Sequence, residues 1–294
     1  MLKIKDTRKE REKYFMILEE IIKYLFDNLE EEPRIKEIVL NPNFTGVLID
    51  NDEIGVTMNI REGAQFNREL FENLKYKLIN KNGLEAVDYL HSFTGKKNYL
   101  LNSIKIALIN ALSQPFMSRK FLEKKGYHVQ IKKVSGYNRI IKKDEIVVII
   151  GFSGQCRNIA RKAKKVYITE LYPEKFTSIV INQEGVKKAP THMKVIPAQE
   201  AEPYLKEADK VLLTGCTLVT DTMEEILRQC SNSKTIVYGC SAGFYPESLF
   251  KRGVDTISLK KVKDAYLMLD LLKNCSIMVE RFFPSACEEM IIKR

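Results

Sequence analysis

From residue 145 onward, short apolar runs alternate with stretches of helical spacing, and this rhythm constrains the chain more than any other feature. Residues 146–151, 166–171, 211–215, 235–239 and 256–259 are too short and too uniformly apolar to be amphipathic helices. Between them lie helical patterns near 158–164, from about Thr222, near 246–251 and from Asp264, with an irregular stretch that includes 191–196. Strands of a parallel sheet look like this because helices cover both faces and leave no strand a polar side. The predicted fold class is therefore α/β, with a Rossmann-like parallel sheet in the carboxyl-terminal half.

The first half of the chain has a different grammar. Thr7-x-x-Glu10 is a capping box ahead of a helix with Tyr14, Leu18, Ile21, Ile22, Leu25 and Leu29 at helical spacing, and Pro33 ends it. Three β-like runs follow at 35–40, 47–50 and 54–58, separated by Asn41-Pro42-Asn43 and Asn51-Asp52, which predicts an antiparallel meander. Helical stretches at 67–80, 84–93 and 99–112 come next, with Gly83, Gly95 and Pro115 as stop signals. Strands followed by helices indicate an α+β unit. A chain of 294 residues has room for two domains. The expected division is 1–118, the smaller unit with an extra amino-terminal helix, and 119–294, the Rossmann-like unit. Basic residues 119–144 are expected to act as a connector, with an arm between the domains.

Hydrophobic residues at 45% and charged residues at 29% fit a packed globular protein and exclude a disordered one. The apolar runs are far too short to span a bilayer, and residues 1–13 lack the pattern of an export signal, so a cytoplasmic location is expected. A net charge of +10 would favour polyanions, with basic residues densest at 119–125, 132–143 and 157–165. Acidic residues are interleaved along most of the chain, however, and no nucleic-acid module or aromatic platform accompanies the charge. A solvated basic surface is the better reading, nucleic acid is not an expected partner, and a homo-oligomer is compatible with the sequence. Six cysteines stand at 156, 216, 230, 240, 275 and 287 without a Cys-x-x-Cys pair, which argues against a zinc ribbon and for free thiols.

In an open parallel sheet, ligands bind beyond the carboxyl ends of the strands, so the turns there carry the functional expectations. They are Gly151-Phe152-Ser153-Gly154-Gln155-Cys156, Thr169-Glu170-Leu171, Thr214-Gly215-Cys216-Thr217 and Gly239-Cys240-Ser241-Ala242-Gly243. Gly151 to Gly154 is a G-x-x-G loop, shorter than the dinucleotide fingerprint. Glu170 stands where an acidic side chain would hold ribose hydroxyls, and equally where a strand-end carboxylate would face solvent or a lysine. Asp221 and Thr222 read as helix N-caps completed by Glu224 and Glu225. Thr214, Thr217 and Thr220 could also present hydroxyls at the mouth of the sheet. Cys156, Cys216 and Cys240 each follow a predicted strand. They either converge as ligands for a transition metal (Zn, Fe, Ni or Cu) or fill tight turns as small apolar residues. His91, His128 and His192 lack a partner at ligand spacing and read as surface or packing residues. No Ser-His-Asp order, H-E-x-x-H or Walker lysine motif is present.

The segment Thr214-Gly215-Cys216-Thr217-Leu218-Val219-Thr220-Asp221-Thr222 resembles the TG-S-T-L-x-N-x-T block of the family described as putative heavy-metal chelation. Blocks at 148–154, 208–222 and 239–255, the A-x-x-N-A-L helix within 106–112 and Gly55-Val56-Thr57 resemble it as well. The resemblance implies a Rossmann-like carboxyl-terminal domain, an amino-terminal domain similar to that of enolase, and a ligand site in the cleft between them. The matching positions are Thr57, Asn110, Gly151, Thr214, Gly215, Thr217, Thr222, Gly239 and Ser241. Cys216 stands where the family usually has serine, Cys240 where it has proline, and Asp221 departs from its Asn-Gly pattern. The expected function is binding of a small molecule or metal chelate in that cleft. The alternatives are an enzyme using a nucleotide-type cofactor such as S-adenosylmethionine or NAD, and a non-catalytic interaction protein driven by charge.

Overall fold

The computed structural model describes residues 16–60, 67–93, 98–132, 140–151, 154–176, 179–188, 193–230, 232–274 and 283–294. The first helix, α1 (Ile17–Asn28), buries Ile17, Leu18, Ile21 and Leu25, the stripe that the helical spacing predicts. Its proposed capping box at Thr7 lies outside the described residues. Strands β1 (Ile35–Leu40), β2 (Phe44–Ile49) and β3 (Ile54–Met58) form an antiparallel sheet in sequence order. Helices α2 (Arg68–Leu78), α3 (Gly83–His91) and α4 (Tyr99–Leu112) follow. Asn67, Asn82 and Asn98 cap them, each accepting a hydrogen bond from a backbone N–H of the first turn.

Two observations explain how this small sheet stays together. Every residue of α4 beyond Tyr99 is buried, so α4 is a core helix and not a surface one. All six residues of β2 are buried too, because the sheet is covered on both faces. A Cβ on Gly55 would lie 1.9 Å from the Ala107 carbonyl oxygen and 2.4 Å from the Ala111 nitrogen. Only glycine lets β3 approach α4 that closely. The other face, with Phe44, Leu48, Ile54 and Val56, packs on Met268, Leu269, Leu271 and Leu272.

The second sheet has eight strands. Six of them, β5 (Ile146–Ile150), β6 (Lys165–Glu170), β9 (Met193–Pro197), β10 (Lys210–Thr214), β11 (Lys234–Tyr238) and β12 (Val254–Val262), are mutually parallel. In chain order they lie 3-2-1-4-5-6, the order of the doubly wound dinucleotide fold, with the reversal between β5 and β10. Leu212 pairs with Ile149 on one side and Ile236 on the other, all close to fully buried, as a sheet covered on both faces requires. An antiparallel pair, β4 (His128–Lys132) and β13 (Cys287–Lys293), extends the sheet beyond β12. Where β6 crosses to β9, the chain forms a separate ribbon of β7 (Ile179–Asn182) and β8 (Gly185–Lys188).

The remaining helices are short: α5 (Arg119–Lys124), α6 (Cys156–Ala160), α7 (Glu202–Glu207), α8 (Met223–Gln229), α9 (Glu247–Lys251), α10 (Ala265–Asn274) and α11 (Phe283–Ala286). The residues of α10 are the ones that cover the three-stranded sheet, so the carboxyl-terminal half reaches back over the first unit. Three sequence expectations need correction. Residues 119–144 are more than a connector, because they supply α5 and the edge strand β4. The helix after β5 is a five-residue turn starting at Cys156, not a helix over 158–164. The helix after β10 starts at Met223, directly after Thr222 as expected, but the side-chain caps expected at Asp221 and Thr222 are not formed. Asp221 there has a left-handed φ of 58°, and the Thr222 side chain makes no capping bond, pairing with Thr220 instead at 2.8 Å.

Candidate interdomain site

Because the six strands are parallel, the turns after β5, β6, β10 and β11 share one rim. The first unit meets that rim along α4 and the end of β3. At one end of α4, Asn102 Nδ2 donates to the Val219 carbonyl at 2.9 Å, in the turn after β10. Near the other end, Asn110 Nδ2 donates both to Val56 O of β3 at 3.0 Å and to Cys240 O at 3.1 Å, after β11. One buried amide thus ties three elements together. Ser241 completes the seam: its hydroxyl oxygen accepts from Thr57 Oγ1 at 2.8 Å and from the Met58 backbone N–H at 3.1 Å. The rim turns also touch each other, since a Cβ on Gly215 would lie 2.9 Å from the Ala242 nitrogen.

The structure therefore brings Thr57, Asn110, Thr214, Gly215, Cys216, Cys240 and Ser241 into one neighbourhood. Thr217 is buried in the same turn, but its hydroxyl donates to Thr214 O at 2.7 Å, and Thr220 donates in turn to Thr217 O at 3.3 Å. Those two hydroxyls stabilise the turn from within. Gly151 and Gly239 have positive φ values of 82° and 103°, which end their strands sharply on the rim. Tyr238 reaches across from β11, and its hydroxyl donates to the carbonyls of Ile150 and Gly151 at 3.3 and 3.2 Å. Glu170 is half-buried at the end of β6, and its charge adds to the upward push that burial gives the Cys216 thiol. Gly154 lies in an exposed turn, and Ser153 falls outside the described residues. Asp221 and Thr222 sit further along, with Asp221 influencing Lys105 and His91.

The expected convergence of three thiols is not what the rim holds. Cys156 is fully buried beneath the sheet among Val147, Ile149, Ile159, Val166 and Ile168. Cys216 and Cys240 do lie together, and burial pushes both thiols up, Cys240 further because of Cys216 and Cys287. Among the described residues no group of three or more His, Cys, Asp or Glu could hold a metal ion. Cys156 took the other role open to it, a small apolar filler in a core.

Beside the seam is a cavity of about 10 Å³, room for one water-sized group, lined by Val56, Asn110, Gln114, Cys240, Gly243 and Lys261 among others. Asn110 Oδ1 and Gln114 Oε1 are buried without a hydrogen-bond partner. Both amides are oriented by their own donors, because Gln114 Nε2 donates to Asn110 O at 3.0 Å. The oxygens cannot be exchanged for nitrogens by a flip. Sequence reasoning missed Gln114 and Lys105. Lys105 could have been found as the one cation inside the apolar run 99–112; Gln114 carries no comparable signal.

A family model described as "putative heavy-metal chelation" matches residues 135–282, half of the chain, and a second model with the same description matches residues 22–113. The chain belongs to the family so described. Both matched segments contribute to the seam, Thr57 and Asn110 from one and Thr214, Cys216 and Ser241 from the other. A protein of unknown function from the same family in Desulfitobacterium hafniense has a solved structure of TM-score 0.68, at 19% identity, the match covering 96% of this chain and 100% of that one. A family member of unknown function from Pyrococcus horikoshii gives TM-score 0.69 at 19% identity, with 95% and 100% covered. An uncharacterized protein of Methanocaldococcus jannaschii is 24% identical over 273 residues, 89% of this chain and 93% of that protein. The two solved structures share the fold of this chain. No helix among the described residues is long and apolar enough to cross a membrane.

Proposed function

We propose that the chain works as two domains, residues 1–118 and 119–294, and that their seam takes a small polar molecule or a metal chelate. The observation that carries this reading is the pair of oriented, unpartnered amide oxygens of Asn110 and Gln114 on a cavity at the seam. Buried acceptors of this kind cost stability unless something donates to them. The cavity admits one water-sized donor, such as a single ligand hydroxyl or amine reaching in from the seam, and the rest of a ligand would lie outside it against the rim turns. The description of the family agrees with a metal-bearing ligand.

Native mass spectrometry of freshly purified full chain, followed by equilibrium dialysis against iron(III) citrate, tests the reading. A retained mass or saturable uptake that Ser241→Ala weakens is the expected result. No uptake of any chelate or metal by the folded chain would end it. A second reading, a nucleotide-type cofactor, draws on the strand order and on Glu170 at the end of β6. It expects NAD or S-adenosylmethionine to raise the melting temperature and Glu170→Ala to cancel the rise.

A further inference from the structure

The Cys216 thiol lies in the seam near the Thr214 and Ser241 hydroxyls, and it also meets a second sulfur. Its S–H donates to Met58 Sδ, with the two sulfurs 3.2 Å apart. Met58 is the last residue of β3 and 41% exposed, whereas Cys216 is 8% exposed, so the thioether stands between the thiol and solvent. The same hydroxyl that holds the units together also holds this pair. Ser241 Oγ accepts from the Met58 backbone, which fixes where the thioether begins. With Thr57 and Met58 both donating to it, the serine's own hydrogen is left to point elsewhere. Thr214 Oγ1 accepts from the Cys216 backbone N–H at 3.3 Å, which fixes the backbone that carries the thiol.

We propose that Met58 Sδ and Cys216 Sγ, with Cys240 beside them, form a site for a soft monovalent ion, copper(I) or silver(I). This rests on the reading of the seam as the ligand site and names the ion class it takes. The ligand set decides the class. Zinc in a structural site takes four nitrogen, sulfur or oxygen ligands, and the described residues assemble no such group. Thioether and thiol ligands select soft ions, for which fewer sulfurs suffice. Binding replaces the hydrogen between the sulfurs: the thiol proton goes to solvent, a copper–sulfur bond forms to Cys216, and a Met58 lone pair forms the second bond once the exposed thioether swings outward, because the sulfurs must part from 3.2 Å to admit the ion. Neither sulfur changes oxidation state. Ser241 and Thr214 orient the thiolate from outside the metal's own ligands.

The test uses the full-length chain in oxygen-free buffer, with copper(I) supplied from a chromogenic chelator under reductant, and zinc(II) and iron(III) citrate run in parallel without reductant. The expected result is one copper(I) taken per chain with a thiolate-to-copper ultraviolet band. Cys216→Ser should abolish uptake, and Met58→Leu and Ser241→Ala should each weaken it by about tenfold or more. Cys230→Ser, in a thiol away from the seam, should leave it unchanged. Met58 is exposed enough that its leucine variant folds, which circular dichroism would check. Copper(I) uptake that survives both Met58→Leu and Cys216→Ser overturns the proposal. So does a chain that ignores copper(I) but takes iron(III) citrate in a Ser241-dependent way, and that result leaves the seam reading standing. If neither copper(I) nor the chelate binds, both readings fall.

Discussion

The carboxyl rim of the large sheet has two unlike halves. After β10 and β11 the rim turns are roofed by β3 and α4, and their polar groups are spent on one another: Ser241 on Thr57, Asn110 on Cys240, Cys216 on Met58. After β5 and β6 the turns stay open, with Gly154 exposed, Glu170 half-buried, and an exposed ribbon in place of a covering helix. Topology alone makes both halves equivalent as ligand edges. The difference teaches that the amino-terminal unit, not the strand order, decides which half is built for chemistry. The roofed half is desolvated and ordered, so each of its groups carries packing and chemistry together.

The same substitution made on each half would measure that difference most strongly. Gly55→Ala drives a methyl group into the backbone of α4, while nothing lies within 4 Å of a Cβ on Gly154, whose φ is not in the left-handed region. We expect Gly55→Ala to lower stability in urea by about 3 kcal/mol, the upper range for overpacking. Gly154→Ala should stay within about 0.5 kcal/mol. Equal effects would mean that the roof is not fixed to the sheet.

Lys105 gives a second contrast, read through pH. It lies on α4 with 1% exposure, and burial pushes its amine down to about 8, with Asp221 opposing. Below that value the lysine is charged in both the folded and unfolded chain, and the folded state bears the full cost of burying the charge. As pH rises from about 8 toward the unfolded value, the folded chain releases the proton first, so stability rises. Relative to Lys105→Met, wild type should therefore gain up to roughly 3 kcal/mol between pH 8 and 10.5. Urea titrations of both proteins across that window would show it. A pH-independent difference would place the amine in water.

Much of this was legible in the sequence, and the exceptions have physical causes. Uniformly apolar runs exposed five of the six parallel strands, because burial on both faces leaves an unmistakable pattern; β9, with Lys194 in its middle and only Ile196 buried, read as part of an irregular stretch. β13 was hidden by Glu289, a carboxylate 2% exposed inside the strand and held by Ser258 at 2.7 Å. β4 carries the polar–apolar alternation of an edge strand over His128–Lys132, but the run is only five residues long and lies amid basic sequence, which hid it. At the site, glycine turns and family-like blocks pointed to Thr57, Asn110 and Ser241. They could not show that Met58 meets Cys216, since a pairing 158 residues apart in sequence depends on how the roof sits. Thr222 does hold the N-cap position, but its side chain makes no cap bond, and Glu224, the capping-box partner expected for Asp221, accepts instead from the Ile17 N–H at 2.6 Å and from Arg252 at 3.1 Å.

Ser241→Ala probes the roofed half at its hinge. It leaves the buried Thr57 hydroxyl and the Met58 N–H without their acceptor, so a loss of about 1–3 kcal/mol is expected in urea unfolding. Ser241→Thr, which keeps the hydroxyl, should recover part of it. A silent Ser241→Ala would show that water replaces the serine and that the seam is wetter than its burial implies.

The smallest effect belongs to the ribbon on the open half. Ile179, Ile181 and Val186 are 59%, 78% and 71% exposed, and the register pairs Ile181 with Val186, which puts them on one face. A side chain already in water loses little on folding when its methyl groups are removed, so Ile181→Thr should change the stability of the chain by less than about 0.5 kcal/mol. The substitution also retains β-branching, which keeps the strand preference of the position. Because the ribbon adds no strand to the large sheet, the change should leave the roofed half untouched, with ligand uptake at Ser241 unaltered. A loss near that of Ser241→Ala would mean that the ribbon's apolar face is covered in solution, and the contrast between a built half and an open half of the rim would then have to be redrawn.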